Sequence, residues 1–124
     1  MHAHLGLEFT GVGDDWLSAR LAVDARTTQP HGLLHGGASV VLAESVGSVA
    51  GSLTLDPAIS RVVGLEINAN HVRPATSGHV HAVARPEAMG KRTQVWTIRI
   101  SDDEDRLVCI SRLTLAVIAL PPTV

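Results

Sequence analysis

Gly36-Gly37-Ala38-Ser39-Val40-Val41-Leu42-Ala43-Glu44-Ser45-Val46-Gly47-Ser48-Val49-Ala50-Gly51-Ser52-Leu53-Thr54-Leu55 is the stretch on which the fold turns. Ala38, Val41, Leu42, Ser45, Val49 and Leu53 recur at helical spacing, and Asp56-Pro57 closes the run. The helix is rich in small residues, and each internal glycine costs it about 1 kcal/mol. That cost is tolerable where another surface approaches the backbone closely. The pattern therefore predicts a central helix wrapped by a sheet. The run is nearly long enough to span a bilayer, but Glu44 at its centre and its serines and glycines argue against a membrane helix.

On either side of this helix the pattern is that of strands. Upstream, Leu7 to Gly11 and Trp16 to Val23 flank the turn Gly13-Asp14-Asp15, and Asp24 to Leu34 read as an ordered loop broken by Pro30 and Gly32. Downstream, apolar residues alternate: Val63, Leu65, Ile67 and Ala69, then Val80, Ala82 and Ala84, then Gln94, Trp96, Ile98 and Ile100. Leu107, Cys109, Leu113, Leu115 and Val117 complete the series. Turns at Pro74 to Gly78, at Met89-Gly90 and at Asp102-Asp103-Glu104-Asp105 separate them, the last read as a solvated hairpin tip. One long helix with five or six antiparallel strands makes an α+β domain.

The 124 residues suffice for one domain, spanning 1–124, and no repeat or internal linker divides them. Charged residues are 18% and the formal net charge is −2, so no overall basic field points to nucleic acid. Aromatic residues are only 2%, which disfavours base-stacking surfaces. The lone Cys109 suits a reducing compartment and reads as a small buried strand residue. Met1-His2-Ala3-His4-Leu5 lacks the basic region and apolar core of a signal peptide, so a soluble, cytoplasmic protein is expected.

Glu44 is the residue most in need of an explanation. A carboxylate amid Val40, Val41, Leu42 and Ala43 pairs with an arginine, reaches solvent at the helix edge, or performs chemistry. Gln29, His35, Gly36 and Gly37 lead into the helix, where unpaired backbone N–H groups and the helix dipole suit a developing oxyanion. Ser48 lies one turn after Glu44 on the same face, placed to hold a water or orient the carboxylate. Eight residues separate Gly36 from Glu44, about 12 Å along a helix. One carbonyl cannot touch both groups of a single helix, so a site that uses both is interfacial and requires a dimer.

The run from Gln29-Pro30-His31-Gly32-Leu33-Leu34-His35-Gly36-Gly37 to Glu44-Ser45 resembles the signature of hot-dog-fold thioesterases, of the phenylacetate-pathway-like and Arthrobacter-type 4-hydroxybenzoyl-CoA kinds. Val63-Gly64-Leu65-Glu66-Ile67-Asn68-Ala69-Asn70-His71-Val72-Arg73 and Gln94-Val95-Trp96 are similar, more narrowly, to bacterial 1,4-dihydroxy-2-naphthoyl-CoA thioesterases, with enterobactin-pathway proofreading thioesterases as cousins. The likeness extends from about Leu5 to Ile118. It implies an antiparallel sheet around one long central helix and hydrolysis of an aromatic or related acyl-CoA. Glu44 would be nucleophile or general base, and the Gly36 N–H would polarise the thioester carbonyl. Gln29 and His35 would bind or orient around it, and Ser48 would assist the water. The family's CoA-binding positions fall on Gly64, on His71, Val72 and Arg73, and on Met89, Gly90, Lys91 and Arg92. Arg73, Lys91 and Arg92 are chemically apt for phosphates.

The resemblance also implies a homodimer with interfacial sites, assembling further as a dimer of dimers, and no cofactor beyond the CoA of the substrate. No metal is expected: His31 and His35 straddle a glycine loop, His79 and His81 alternate on a strand, and no carboxylate or Cys completes a ligand set. No Gly-x-Ser-x-Gly elbow suggests a serine hydrolase. The rival readings are a non-catalytic acyl-CoA sensor, which would not need Glu44, and an enzyme acting on acyl-carrier-protein thioesters. The sequence departs from the family at His31, where an aromatic residue is usual, around Asp56-Pro57-Ala58, and in a shortened or absent N-terminal helix.

Overall fold

The structure, a computed structural model, describes residues 2–122. Its elements are α1 (His2–Leu5), β1 (Glu8–Val12), β2 (Leu17–Ala22), α2 (Gly36–Leu53), β3 (Ser60–His71), β4 (His79–Met89), β5 (Thr93–Asp102) and β6 (Leu107–Ala119). The N-terminal helix is thus present but only one turn long. Among the described residues the six strands form one antiparallel sheet in the order β1-β2-β4-β5-β6-β3. The chain crosses from β2 through α2 to the far edge of the sheet, and α2 packs against β2, β3, β4, β5 and β6. This is the hot-dog architecture.

The small residues of α2 do what their cost demands. A Cβ at Gly47 would lie 2.6 Å from Leu113 Cδ2, and one at Gly51 would lie 2.5 Å from Leu115 Cδ1 and 2.7 Å from Gln94 Oε1. The sheet therefore comes closer to the helix than any side chain at 47 or 51 permits. Around Gly51 a polar chain runs from the core out to exposed Thr54: Trp96 Nε1 donates to Gln94 Oε1 (2.9 Å), Gln94 Nε2 to Thr54 Oγ1 (3.0 Å), and Thr54 Oγ1 to the Gly51 carbonyl (2.7 Å). Gln94 tolerates full burial because its amide is bonded at both atoms.

Two expected faces are displaced. The buried stripe of α2 is Ala38, Ser39, Leu42, Ala43, Val46, Gly47, Ala50 and Gly51, whereas Val41, Ser45 and Val49 are half-buried and Leu53 is 62% exposed. Ala38 and Leu42 are buried as expected, but the buried stripe is centred about a third of a turn from the predicted one, because Ser39, Ala43, Gly47, Ala50 and Gly51 also face the sheet. In β3 a bulge between Gly64 and Glu66 breaks the alternation, so Val63 and Leu65 are exposed while Val62, Ile67 and Ala69 pack toward the core. A period-two reading carries one phase through the strand, and the extra residue reverses it. The faces of β4 and β5 are as expected, and Cys109 is fully buried, which raises its thiol pKa.

The acidic turn is more than a solvated tip. Asp102 accepts from the N–H of Glu104 (3.0 Å) and of Arg106 (2.9 Å) and from Arg106 Nε (2.8 Å). Asp103 accepts from His81 Nε2 (2.6 Å) and from the His79 N–H (3.1 Å), tying the turn to β4. The Arg106 N–H beside Asp102, and the His81 ring beside Asp103, hold both carboxyls below the usual carboxylate range.

Candidate active site

The loop from Asp24 to His35 delivers the chain to the start of α2. Thr27 Oγ1 bonds the Ala22 carbonyl (2.8 Å), Leu34 N bonds Ala75 O (2.8 Å), and His35 N bonds Thr27 O (2.8 Å). His35 is the N-cap of α2: its Nδ1 accepts from the Gly37 N–H at 2.8 Å, so the ring proton sits on Nε2 in the neutral form. The sequence suggested that both glycine N–H groups are free, but His35 uses that of Gly37. The Gly36 N–H has no acceptor among the described residues, and it carries the positive end of the 18-residue helix.

Gly36 opens into a cleft of about 360 Å³ that also contains Gln29, Ser39, His71, Val72 and Arg73. The apolar floor includes Leu33, Leu34, Ala75 and Val108. A Cβ at Gly36 would lie 3.2 Å from His71 Nε2, so the glycine lets the His71 ring rest against the backbone that presents the free N–H. Gln29 is half-buried, and its Oε1 accepts from the His31 N–H, leaving the amide Nε2 free to donate. Val72 and Arg73 both donate backbone bonds to Val108 O, at 2.9 and 3.3 Å, which anchors the segment bearing the Arg73 guanidinium. His35 is turned away, lining a separate cleft with Leu5, Arg26, Thr28 and Val41.

The remaining sequence-predicted residues are elsewhere on the chain. Glu44 projects from the uncovered stripe of α2, exposed and without an ion pair among the described residues, with half-buried Ser48 one turn beyond. In the single chain Glu44 reaches solvent and does not pair with an arginine among the described residues; its apolar sequence neighbours point to other sides of the helix. Met89, Gly90, Lys91 and Arg92 form the exposed β4–β5 hairpin, at the end of the sheet opposite His71. His71 pairs with Cys109 whereas Thr93 pairs with Ala116, seven residues further along β6, or about 23 Å. Gly64 lies near that far end, opposite Leu115, with open space where its Cβ would be. One residue of the cleft escaped the sequence reading: Ser39, a polar residue at the helical spacing of the buried stripe.

Known proteins resemble this chain in sequence and in fold. Residues 31–109 match the family model described as thioesterase superfamily. The chain is 57% identical over 118 residues to the 1,4-dihydroxy-2-naphthoyl-CoA hydrolase of Escherichia coli, covering 95% of this chain and 86% of the relative. It is 51% identical over 114 residues to the proofreading thioesterase EntH of Cronobacter turicensis, covering 92% and 82%. The crystal structure of a thioesterase from Haemophilus influenzae superposes with a TM-score of 0.94 at 54% identity, covering 98% of this chain and 84% of that one.

Proposed function

The chain belongs to the thioesterase superfamily, and from that premise we propose that it hydrolyses an aromatic acyl-CoA, with 1,4-dihydroxy-2-naphthoyl-CoA the leading substrate. The observation that carries this reading is the Gly36 N–H, unpartnered among the described residues at the head of a long helix and open to a cleft that holds Arg73. A thioester carbonyl bonded there is polarised toward attack, and Arg73 is suited to a phosphate of the CoA. The E. coli relative's activity supports the naphthoyl group.

Glu44 serves as nucleophile or general base, with Ser48 beside it for the water. It stands about 12 Å from Gly36 on one helix, so the Glu44 that meets the carbonyl belongs to a second subunit. Strand β3 is an edge of the sheet, and around it Ile59, Val63 and Leu65 are exposed. A two-fold axis beside this edge sets two copies of α2 antiparallel, bringing Gly36 of one near Glu44 of the other. The same operation carries the hairpin Met89–Arg92, and Gly64, from the far end of one sheet toward His71 to Arg73 of its neighbour. Lys91 and Arg92 can then share the CoA phosphates with Arg73. One symmetry operation thus accounts for both separations within the chain. Two such dimers can associate further.

Free-thiol release from a panel of acyl-CoAs tests this, comparing the wild type with Glu44→Gln and Glu44→Ala. Both substitutions should lower kcat by about 10² to 10⁴-fold with fold and dimer intact. Activity indifferent to Glu44 refutes the mechanism, and binding without turnover moves the reading to an acyl-CoA sensor. The likeness to a proofreading thioesterase makes an acyl-carrier-protein thioester the second substrate class for the panel.

A further inference from the structure

Four polar residues are buried among the described residues: Thr27, Ser39, Gln94 and Ser111. Thr27 Oγ1 bonds Ala22 O (2.8 Å), Ser111 Oγ bonds Asn68 O (2.7 Å), and the Gln94 amide is bonded at both ends. Ser39 is the exception. A serine within a helix commonly gives its hydroxyl to the carbonyl four residues back, as Ser52 does to Ser48 at 3.0 Å. Ser39 Oγ makes no such bond and has no other partner among the described residues, although the residue is only 1% exposed. The hydroxyl is therefore available, in the cleft that Ser39 lines, to a partner that arrives from outside the chain.

Its position says what that partner is. Ser39 lines the same cleft as Gly36 and follows it by three residues, so the two are neighbours on one face of the first turn, about 5–6 Å apart. Side chains in a helix lean toward the N-terminus, which carries Ser39 Oγ back toward the Gly36 N–H. A single oxygen about 3 Å from each donor fits between them. We propose that the Ser39 hydroxyl is a second hydrogen-bond donor to the thioester carbonyl oxygen, completing with Gly36 N–H a two-donor oxyanion site. This rests on the thioesterase reading above.

In the reaction, water or the Glu44 carboxylate forms a new C–O bond to the carbonyl carbon, and the π pair moves onto the oxygen held by Gly36 and Ser39. When that pair returns, the C–S bond breaks and the thiolate leaves, taking up the proton that Glu44 drew from the attacking water or, where Glu44 itself attacked, one from solvent. If Glu44 is the nucleophile, water then cleaves the acyl-enzyme in the same way. Ser39 keeps its proton throughout and acts only by binding the oxyanion more strongly than the ground-state carbonyl.

The test is thiol release by Ser39→Ala and Ser39→Cys, with thermal unfolding in parallel. A second readout is the infrared carbonyl stretch of a bound ketone analogue in which CH2 replaces the thioester sulfur. Ser39→Ala should lower kcat by about 10²-fold, the low end for loss of one oxyanion donor, with little change in KM and no loss of Tm. The near-isosteric, weaker donor in Ser39→Cys should fall between. The bound carbonyl should move to higher frequency in Ser39→Ala as one hydrogen bond is lost. Unchanged kcat in Ser39→Ala overturns the proposal, as does a loss that tracks Tm with the carbonyl frequency unmoved. If the wild type turns over, Glu44→Gln does not and Ser39→Ala does, this proposal falls alone; a wild type that releases no thiol overturns both readings.

Discussion

Replacing Gly51 by alanine sets two large effects against each other. On the helix alone the change is favourable by about 1 kcal/mol, since alanine is the better helix former. In the fold the new methyl would lie 2.5 Å from Leu115 Cδ1 and 2.7 Å from Gln94 Oε1, well inside contact distance, and both neighbours are fully buried. Forcing a methyl into a packed core costs about 1–3 kcal/mol. Displacing the Gln94 amide also weakens its bonds to Trp96 Nε1 and Thr54 Oγ1, at about 1 kcal/mol each. Packing wins, and Gly51→Ala should be destabilised by about 2–3 kcal/mol, or about 8–12 °C in Tm for a chain of this size. Calorimetry at fixed protomer concentration measures this, because assembly makes Tm concentration-dependent. In a Leu115→Val background, which removes the nearer atom, the cost of the methyl should fall by at least about 0.5 kcal/mol. A Tm for Gly51→Ala that is unchanged, or raised by about 4 °C as propensity alone requires, would refute the close-packing argument.

An interfacial site predicts complementation between dead variants. Glu44→Gln and Gly36→Val should each be inactive alone, whereas doubly tagged hybrid dimers carry one intact site and should recover about half of wild-type activity; hybrids as inactive as their parents would rule out sharing between subunits. The acidic turn should govern stability at low pH. Asp102 and Asp103 have depressed pKa values in the fold, so each stabilises it fully above the ordinary carboxylate pKa and loses that contribution as pH falls through the lowered value. Denaturant unfolding of wild type and Asp103→Asn should therefore differ at neutral pH and converge below about pH 4, and a constant gap would contradict the His81–Asp103 link.

Much of this was legible from local pattern. The glycines and alanines of the central run foretold a close-packed helix, and the alternation in Val80 to Ala84 and Gln94 to Ile100 gave the correct buried faces. Periodicity puts Val63 and Leu65 on the wrong face because a bulge is an event between two strands, and no pattern within one strand signals it. Spacing alone leaves the Gly37 N–H free, because it does not reveal that the His35 ring turns back to cap it. Ser39 gives no signal in the sequence, because a serine in a small-residue helix looks like filler until the fold buries it beside the cleft with no partner for its hydroxyl among the described residues.

Sequence by itself determined the helix, the strand order along the chain and the residue types that thioester chemistry uses, because helical and extended periodicities and glycine tolerance are properties of near neighbours. Tertiary structure alone decided that Gln29, Gly36, Ser39, His71 and Arg73 share one cleft while Glu44 and the Met89–Arg92 hairpin stand apart from it. Those distances depend on how strands far apart in the chain pair, and strand pairing is fixed by the packing of the whole sheet against one helix.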